Sequence, residues 1–215
     1  MRLLIRFGKR SRLRFISHLD LQRFFQRALN RTGLPIAYSQ GFNPHAVMAF
    51  SSALALGWTS EYEVLDIKLA APVELAHARD AMAAALPEDL PVLEARLIED
   101  GHPAMMPLVL FSEYGIENSG VTQAMLDAFL ASEAVHAIRK TKSGEREIDI
   151  RPLADEVRLD GETLFARLML TEKDTLKPDL LIATLAGEAR EDARIHRLSL
   201  LGRAQDGALS PIMRL

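Results

Sequence analysis

The chain has 215 residues, 48% of them hydrophobic and 26% charged, with no cysteine and a formal net charge of −3. Such a length holds one large domain or two small ones, each able to bury a core, and the composition is that of an ordinary soluble globular protein. Disulfides, a thiolate nucleophile and cysteine-ligated zinc or iron–sulfur clusters are excluded, and without an apolar run of about eighteen residues no spanning helix is expected.

The first residues, MRLLIRFGKRSRLRF, lack a long apolar core and a small-residue cleavage site. No secretory signal is read there, and a cytoplasmic location is expected. Leu3, Ile5 and Phe7 alternate with Arg2, Leu4 and Arg6, which predicts a strand over residues 2–8. Ser17 then caps a helix, and Asp20, three residues on, completes a capping box. Leu21, Phe24, Phe25 and Ala28 fall at i, i+3, i+4 and i+7 and make one buried stripe, and Gly33 ends the helix. Strand-like runs follow at Val47–Leu56 and Tyr62–Leu69. A helix after Pro72 places Leu75, Met82 and Leu86 on one face, and a strand is expected at Val92–Ile98. The order is βαββαβ.

The pattern recurs after the Gly- and Pro-containing join Glu99–Leu108. Val109–Glu117 reads as a strand, a helix capped by Thr122 follows, and AVHAIRKTK reads as a strand. REIDIRPLADEVRL is a long alternating insert, TLFARLML a strand, and Lys177 to Gly187 a helix with Pro178 at its start and Gly187 after its end. ARIHRLSLLG closes the set. The expected class is α+β, with two tandem ferredoxin-like halves, residues 1–100 and 108–203, the second with a β-hairpin insertion. Residues 204–215 form a tail without a strong pattern, flexible or used for docking.

The charge is not evenly spread. Residues 1–45 hold nine basic residues (Arg2, Arg6, Lys9, Arg10, Arg12, Arg14, Arg23, Arg27 and Arg31) against one acid, Asp20. That local charge of +8 leaves −11 on the rest of a chain whose net charge is −3. A basic end on an acidic body points to an anionic partner, unless the arginines pair with acids from elsewhere in the chain. Arg23 and Arg27 lie four apart, opposite the apolar stripe, with no acid four residues from either. Guanidinium matches phosphate bidentately, so this face suits phosphate contacts as well as it suits plain solvation.

Tyr38–His45, YSQGFNPH, is the most specific local signal. Gly41 permits a positive φ and Pro44 holds Asn43 extended. Two aromatics, Tyr38 and Phe42, with Asn43 and His45 can stack a base and bond its edge; alternatively the loop is a turn packed onto the first helix. His18, Asp20 and His45 are candidates for acid–base work or metal ligation, although Asp20 has an evident capping role and spacing supplies no further ligand. A hairpin turning at Ser143-Gly144 carries Arg139, Lys140, Lys142 and Arg146, a second basic patch. Nucleotide-loop and serine-hydrolase motifs are absent from the sequence.

Ser17-His18-Leu19-Asp20, the run Tyr38-Ser39 and Gly41-Phe42-Asn43-Pro44-His45, and Gly57, Ser60 and Glu63 together resemble the radical-SAM-linked domain of unknown function. KTKSGEREIDIRPL is similar to a further segment of that family, so the resemblance spans most of the chain. It implies a domain found alone or fused behind a radical SAM module, often beside genes for an RNase E/G-type ribonuclease and ribosomal proteins. Without cysteine the chain cannot hold the radical SAM cluster, so that chemistry would belong to a partner.

The expectation is an RNA-binding accessory or substrate adaptor for a radical SAM enzyme in tRNA or rRNA modification or processing. It needs no cofactor or metal, has no membrane contact and has no firm catalytic activity of its own. The expected RNA contacts are Arg2, Arg6, Arg14, Arg23, Arg27, Arg31, Tyr38, Phe42, Asn43, His45, Lys140 and Lys142. A metal-independent RNA-processing endonuclease using His18 and His45, and a protein–protein docking subunit, are the alternatives.

Overall fold

Strand β1 (Arg2–Lys9) pairs antiparallel on one edge with β3 (Thr59–Lys68) and on the other with β4 (Val92–Ile98). The computed structural model describes residues 1–141, 144–187 and 191–215. It divides into two units, Met1–Val109 with Gly202–Leu215, and Leu110–Leu201. Both are mixed α+β units built on antiparallel strands.

In the first unit, β2 (Met48–Phe50) adds to the far side of β3, giving the order β4-β1-β3-β2. Leu3, Ile5 and Phe7 of β1 and Leu65 and Ile67 of β3 point to one face, where they meet helix α1 (His18–Leu29) and helix α2 (Leu75–Ala85). α1 buries Leu21, Phe25, Ala28 and Leu29, with Phe24 half-buried at the margin. Phe7 and Phe25 lie with ring centroids 4.8 Å apart, which ties strand to helix.

Three expectations shift here. The run Val47–Leu56 is a strand only over β2, because the chain bends at Ser51–Ser52 and leaves Leu56 62% exposed. α2 buries Ala78 and Met82 and leaves Leu75 exposed, since Glu74 caps the helix through both carboxylate oxygens and turns its first residue outward. After a short helix α3 (Met105–Leu108), the end of the chain returns to this unit, where residues 204–215 form β11 (Leu209–Pro211) and a 3-10 turn that buries Ile212 and Met213. Tyr62 Oη accepts the Met213 N–H at 3.3 Å, and burial pushes the Tyr62 phenol above its ordinary range. Arg96 Nη1 donates to the Met213 and Leu215 carbonyl oxygens at 2.8 and 2.9 Å. The tail is thus packed, not loose.

The second unit holds β5 (Phe111–Glu117), α4 (Gln123–Ala131), β6 (His136–Thr141), β7 (Gly144–Asp149), β8 (Ala154–Asp160), β9 (Thr163–Met169), α5 (Pro178–Ala186) and, as far as Leu201, β10 (Arg194–Arg203). Its sheet order is β10-β5-β9-β8. Among the described residues, β6 and β7 pair only with each other. The second strand of this sheet is therefore β8, drawn from the alternating insert, and AVHAIRKTK instead begins a separate hairpin. Thr122 Oγ1 caps α4 by accepting the Met125 N–H at 3.3 Å, and Gly187 ends α5 at φ +76°. No helix among the described residues is long and apolar enough to cross a membrane.

Candidate nucleic-acid interface

The polar side of α1 faces the chain segment 38–50. Gln26 Nε2 donates to the Ala46 carbonyl at 3.0 Å, and its Oε1 accepts the Ala46 N–H at 2.9 Å. One turn on, Asn30 Oδ1 accepts the Tyr38 hydroxyl at 2.6 Å. Tyr38 and Ala46 form a β-bridge, and Ser39 N–H donates to the His45 carbonyl at 2.9 Å. The loop is thus closed at its base by its own backbone and by two side chains of α1. At its tip Gly41 adopts φ +129° and Phe42 is fully exposed, at 106% of its reference area. Asn43 and Pro44 are exposed beside it.

His45 is held by its neighbours and not by the core. Its backbone N–H donates to Ser39 Oγ at 3.2 Å, and its Nδ1 lies 2.9 Å from that oxygen and 3.5 Å from the Asn43 carbonyl oxygen. A carbonyl only accepts, so both contacts of Nδ1 are satisfied when that nitrogen holds the proton. The Nε2 lone pair is then left as an acceptor on an exposed ring. Ser39 sets this orientation; its six-residue separation from His45 across a Gly/Pro turn was the available signal.

The basic block separates into two classes. Arg2 forms a fork with Asp66, 3.0 and 2.6 Å, and also reaches the His102 and Pro103 carbonyls. The hydrogen bond to Asp66 holds its guanidinium above the ordinary value against the opposing effect of burial. Arg6 bonds Glu94 at 3.1 Å and lies over the Tyr62 ring, and Arg10 forks onto Glu61 at 2.7 and 2.8 Å. Lys9 is buried and donates to the Ile16 carbonyl at 3.1 Å. Arg2 and Arg6, expected to contact RNA, are each paired with an acid of their own unit.

The second class faces solvent. Arg12 and Arg27 are exposed, and Arg14 stacks over the exposed Phe15 ring at 4.6 Å. Arg31 donates to the Arg27 and Ala85 carbonyls at 3.3 and 3.0 Å, which neutralises no charge. Arg23, which has no acid four residues away, bonds Asp20 at 3.3 Å, three residues back, although both side chains stay largely exposed. A pair so exposed contributes little and opens readily.

His18 packs edge-on to Phe50 at 5.1 Å, and no described interaction joins it to Asp20 or His45. Asp20 Oδ2 accepts the Ser17 hydroxyl at 2.7 Å while Ser17 Oγ accepts the Asp20 N–H at 3.1 Å. The three candidates for acid–base work therefore sit in three separate settings. Among the described residues no group of three or more His, Asp and Glu side chains is placed to hold a metal ion. On the hairpin, Lys140 lies 3.6 Å from Glu145, whereas Lys142 and the Ser143 of the expected turn lie outside the described residues.

Comparison with curated proteins yields no match. Among solved structures the chain is similar to one chain of a crystal structure of a Cbf5-Nop10-Gar1 complex, at 11% identity and a TM-score of 0.46, covering 92% of this chain and 48% of that one. This chain therefore spans about half the length of that neighbour. A family model matches residues 2–178, across the capped helix, the Tyr38–His45 loop and the second unit as far as the start of α5. The chain belongs to that family, described as an uncharacterized protein conserved in bacteria (DUF2344).

Proposed function

We propose that this protein is an RNA-binding accessory module, with α1 and the Tyr38–His45 loop as its contact surface. The observation behind this reading is Phe42, fully exposed on a loop that is tied at its base to a helix bearing Arg23, Arg27 and Arg31. An aromatic ring displayed in this way gives a base a stacking platform, worth about 1–3 kcal/mol per base, and the arginines supply phosphate partners. His45 Nε2 and the Asn43 amide add edge contacts of the kind that single-stranded RNA offers.

Arg14 belongs to the proposed surface on its charge and Tyr38 on its exposure. Lys140 and Lys142 are proposed as RNA contacts of the second unit, Lys140 on exposure and charge and Lys142 on charge alone. The role of substrate adaptor for a radical SAM RNA-modifying enzyme rests on the sequence resemblance only. The family's description names neither an activity nor a partner. We also read each unit as a ferredoxin-like half, on the strand orders β4-β1-β3-β2 and β10-β5-β9-β8.

The test is fluorescence anisotropy of a single-stranded RNA with the parent protein, Phe42→Ala and Arg27→Glu. Both variants lose affinity while melting as the parent does, and the parent's affinity falls with salt by roughly 0.7 log units per phosphate contact on a log–log plot. Parent-like binding by both variants overturns the interface. RNA cleavage by the purified chain that disappears in His45→Ala replaces the adaptor reading with the endonuclease.

A further inference from the structure

In the second unit, strand β6, Thr175 and the first turn of α5 line a cavity of about 420 Å³. Arg139, Lys140 and Lys177 bring three cations to its wall, against one acid among the described lining residues, Asp179. Asp179 Oδ1 accepts the Leu180 N–H at 3.0 Å, so its charge is already turned to the helix backbone. Arg139 donates to the Thr175 carbonyl, which fixes its guanidinium at the rim. Lys140 meets Glu145 only at 3.6 Å, with side chains 84% and 64% exposed, a pair that water and salt weaken readily. Lys177 makes no cap bond to α5 and has no ion-pair partner among the described residues. Ile138, 49% exposed, and Leu180 supply an apolar surface beside these cations.

We propose that this cavity binds a 5′-phosphorylated nucleoside, a phosphomonoester whose base, carried on the ribose, presents a planar face. An excess of two positive charges matches a dianionic phosphate, since charge-assisted bonds from guanidinium and ammonium groups are strongest to such an anion. The volume lies within the range of small-ligand sites, and Ile138 and Leu180 offer the base a flat contact. Two sources share this chemistry, a free mononucleotide and the 5′-phosphorylated end of an RNA. The site is built wholly from the second unit and does not depend on the Phe42 loop.

The experiment titrates the full chain with 5′-AMP, adenosine and inorganic phosphate by calorimetry. 5′-AMP binds at least about tenfold tighter than adenosine, and Lys177→Ala with Lys140→Ala weakens it about tenfold or more without lowering the melting temperature. Arg139 is left intact because it also braces Thr175. A short RNA with a 5′-phosphate binding better than the same RNA with a 5′-hydroxyl, and losing that preference in the lysine variant, identifies the RNA end as the source. Binding of 5′-AMP without that preference identifies the free nucleotide. Equal affinity for 5′-AMP and adenosine, no binding of either, or a lysine variant that binds as the parent overturns the proposal. Phe42→Ala leaves 5′-AMP affinity at the parent value, so this site and the loop interface fail or succeed separately.

Discussion

Gln26 and Ala46 are joined by a two-bond amide clamp in which a side chain of α1 pairs with the backbone as a neighbouring strand would, at 3.0 and 2.9 Å. Gln26→Ala removes both bonds and leaves the amide and carbonyl of the buried Ala46 without them. The expected loss is about 1–3 kcal/mol, on about 0.5–1.5 kcal/mol for each bond. Faster hydrogen exchange at the Ala46 amide, together with weaker RNA binding, checks the clamp. An unchanged exchange rate rules it out.

At the start of α1 the cap bond belongs to Ser17, whose Oγ accepts the Asp20 N–H. Asp20 returns the contact by accepting the Ser17 hydroxyl instead of the Ser17 backbone N–H. Ser17→Ala is therefore expected to cost about 0.5–2 kcal/mol, and Asp20→Ala less. Chemical denaturation of the two variants gives the ranking. The reverse order would assign the cap to Asp20.

In the loop, Gly41 is structural and His45 is displayed. Gly41→Val places a β-branched residue at φ +129° with open space around its Cβ, so the cost of about 1–3 kcal/mol is conformational and not a clash. His45→Ala leaves the melting temperature close to the parent's but weakens RNA binding, because the ring is exposed and bonded only within its own loop. Nitrogen-15 NMR of the imidazole is expected to show the Nδ1–H tautomer, lost in Ser39→Ala. A melting loss in His45→Ala equal to that in Gly41→Val would make the histidine part of the packing.

Asp149 pins the base of the β6–β7 hairpin by accepting the Val135 and Arg151 N–H groups at 2.9 and 3.0 Å. These two bonds hold its carboxyl below the ordinary value of 3.8. A lowered folded-state pKa means that the contribution is complete above the ordinary value and disappears as pH falls through the lower, folded one. Protection of the Val135 and Arg151 amides is therefore expected to persist at neutral pH and to fall away below about 3.8, and Asp149→Asn is expected to remove that dependence. Amide exchange that is flat across this range contradicts the assignment.

Gly202 marks a close approach within the first unit. A Cβ there would come 2.3 Å from the Leu108 carbonyl oxygen and 2.6 Å from Leu215 Cδ1. Gly202→Ala therefore forces backbone to move, and a loss of about 1–3 kcal/mol or more is expected in thermal melts. A neutral substitution would mean that the segment ending at Leu215 lifts away freely.

The local sequence by itself determined the elements whose causes are local. The stripe Leu21, Phe25 and Ala28, the Ser17 and Thr122 caps, and the positive φ at Gly41 and Gly187 follow from spacing and backbone sterics within a few residues. Contacts between distant residues were decided only by the tertiary structure. The +8 charge of residues 1–45 overstates the free positive surface, because pairing of β1 with β3 and β4 brings Asp66 to Arg2 and Glu94 to Arg6. Strand registers are set by which face is buried, and composition alone does not report them. AVHAIRKTK reads as a strand of the sheet, yet β8 pairs with β9, with Ala154 and Val157 buried, and β6 pairs with β7. The hairpin is thereby left free to stand against α5, where its cations share a cavity with Lys177.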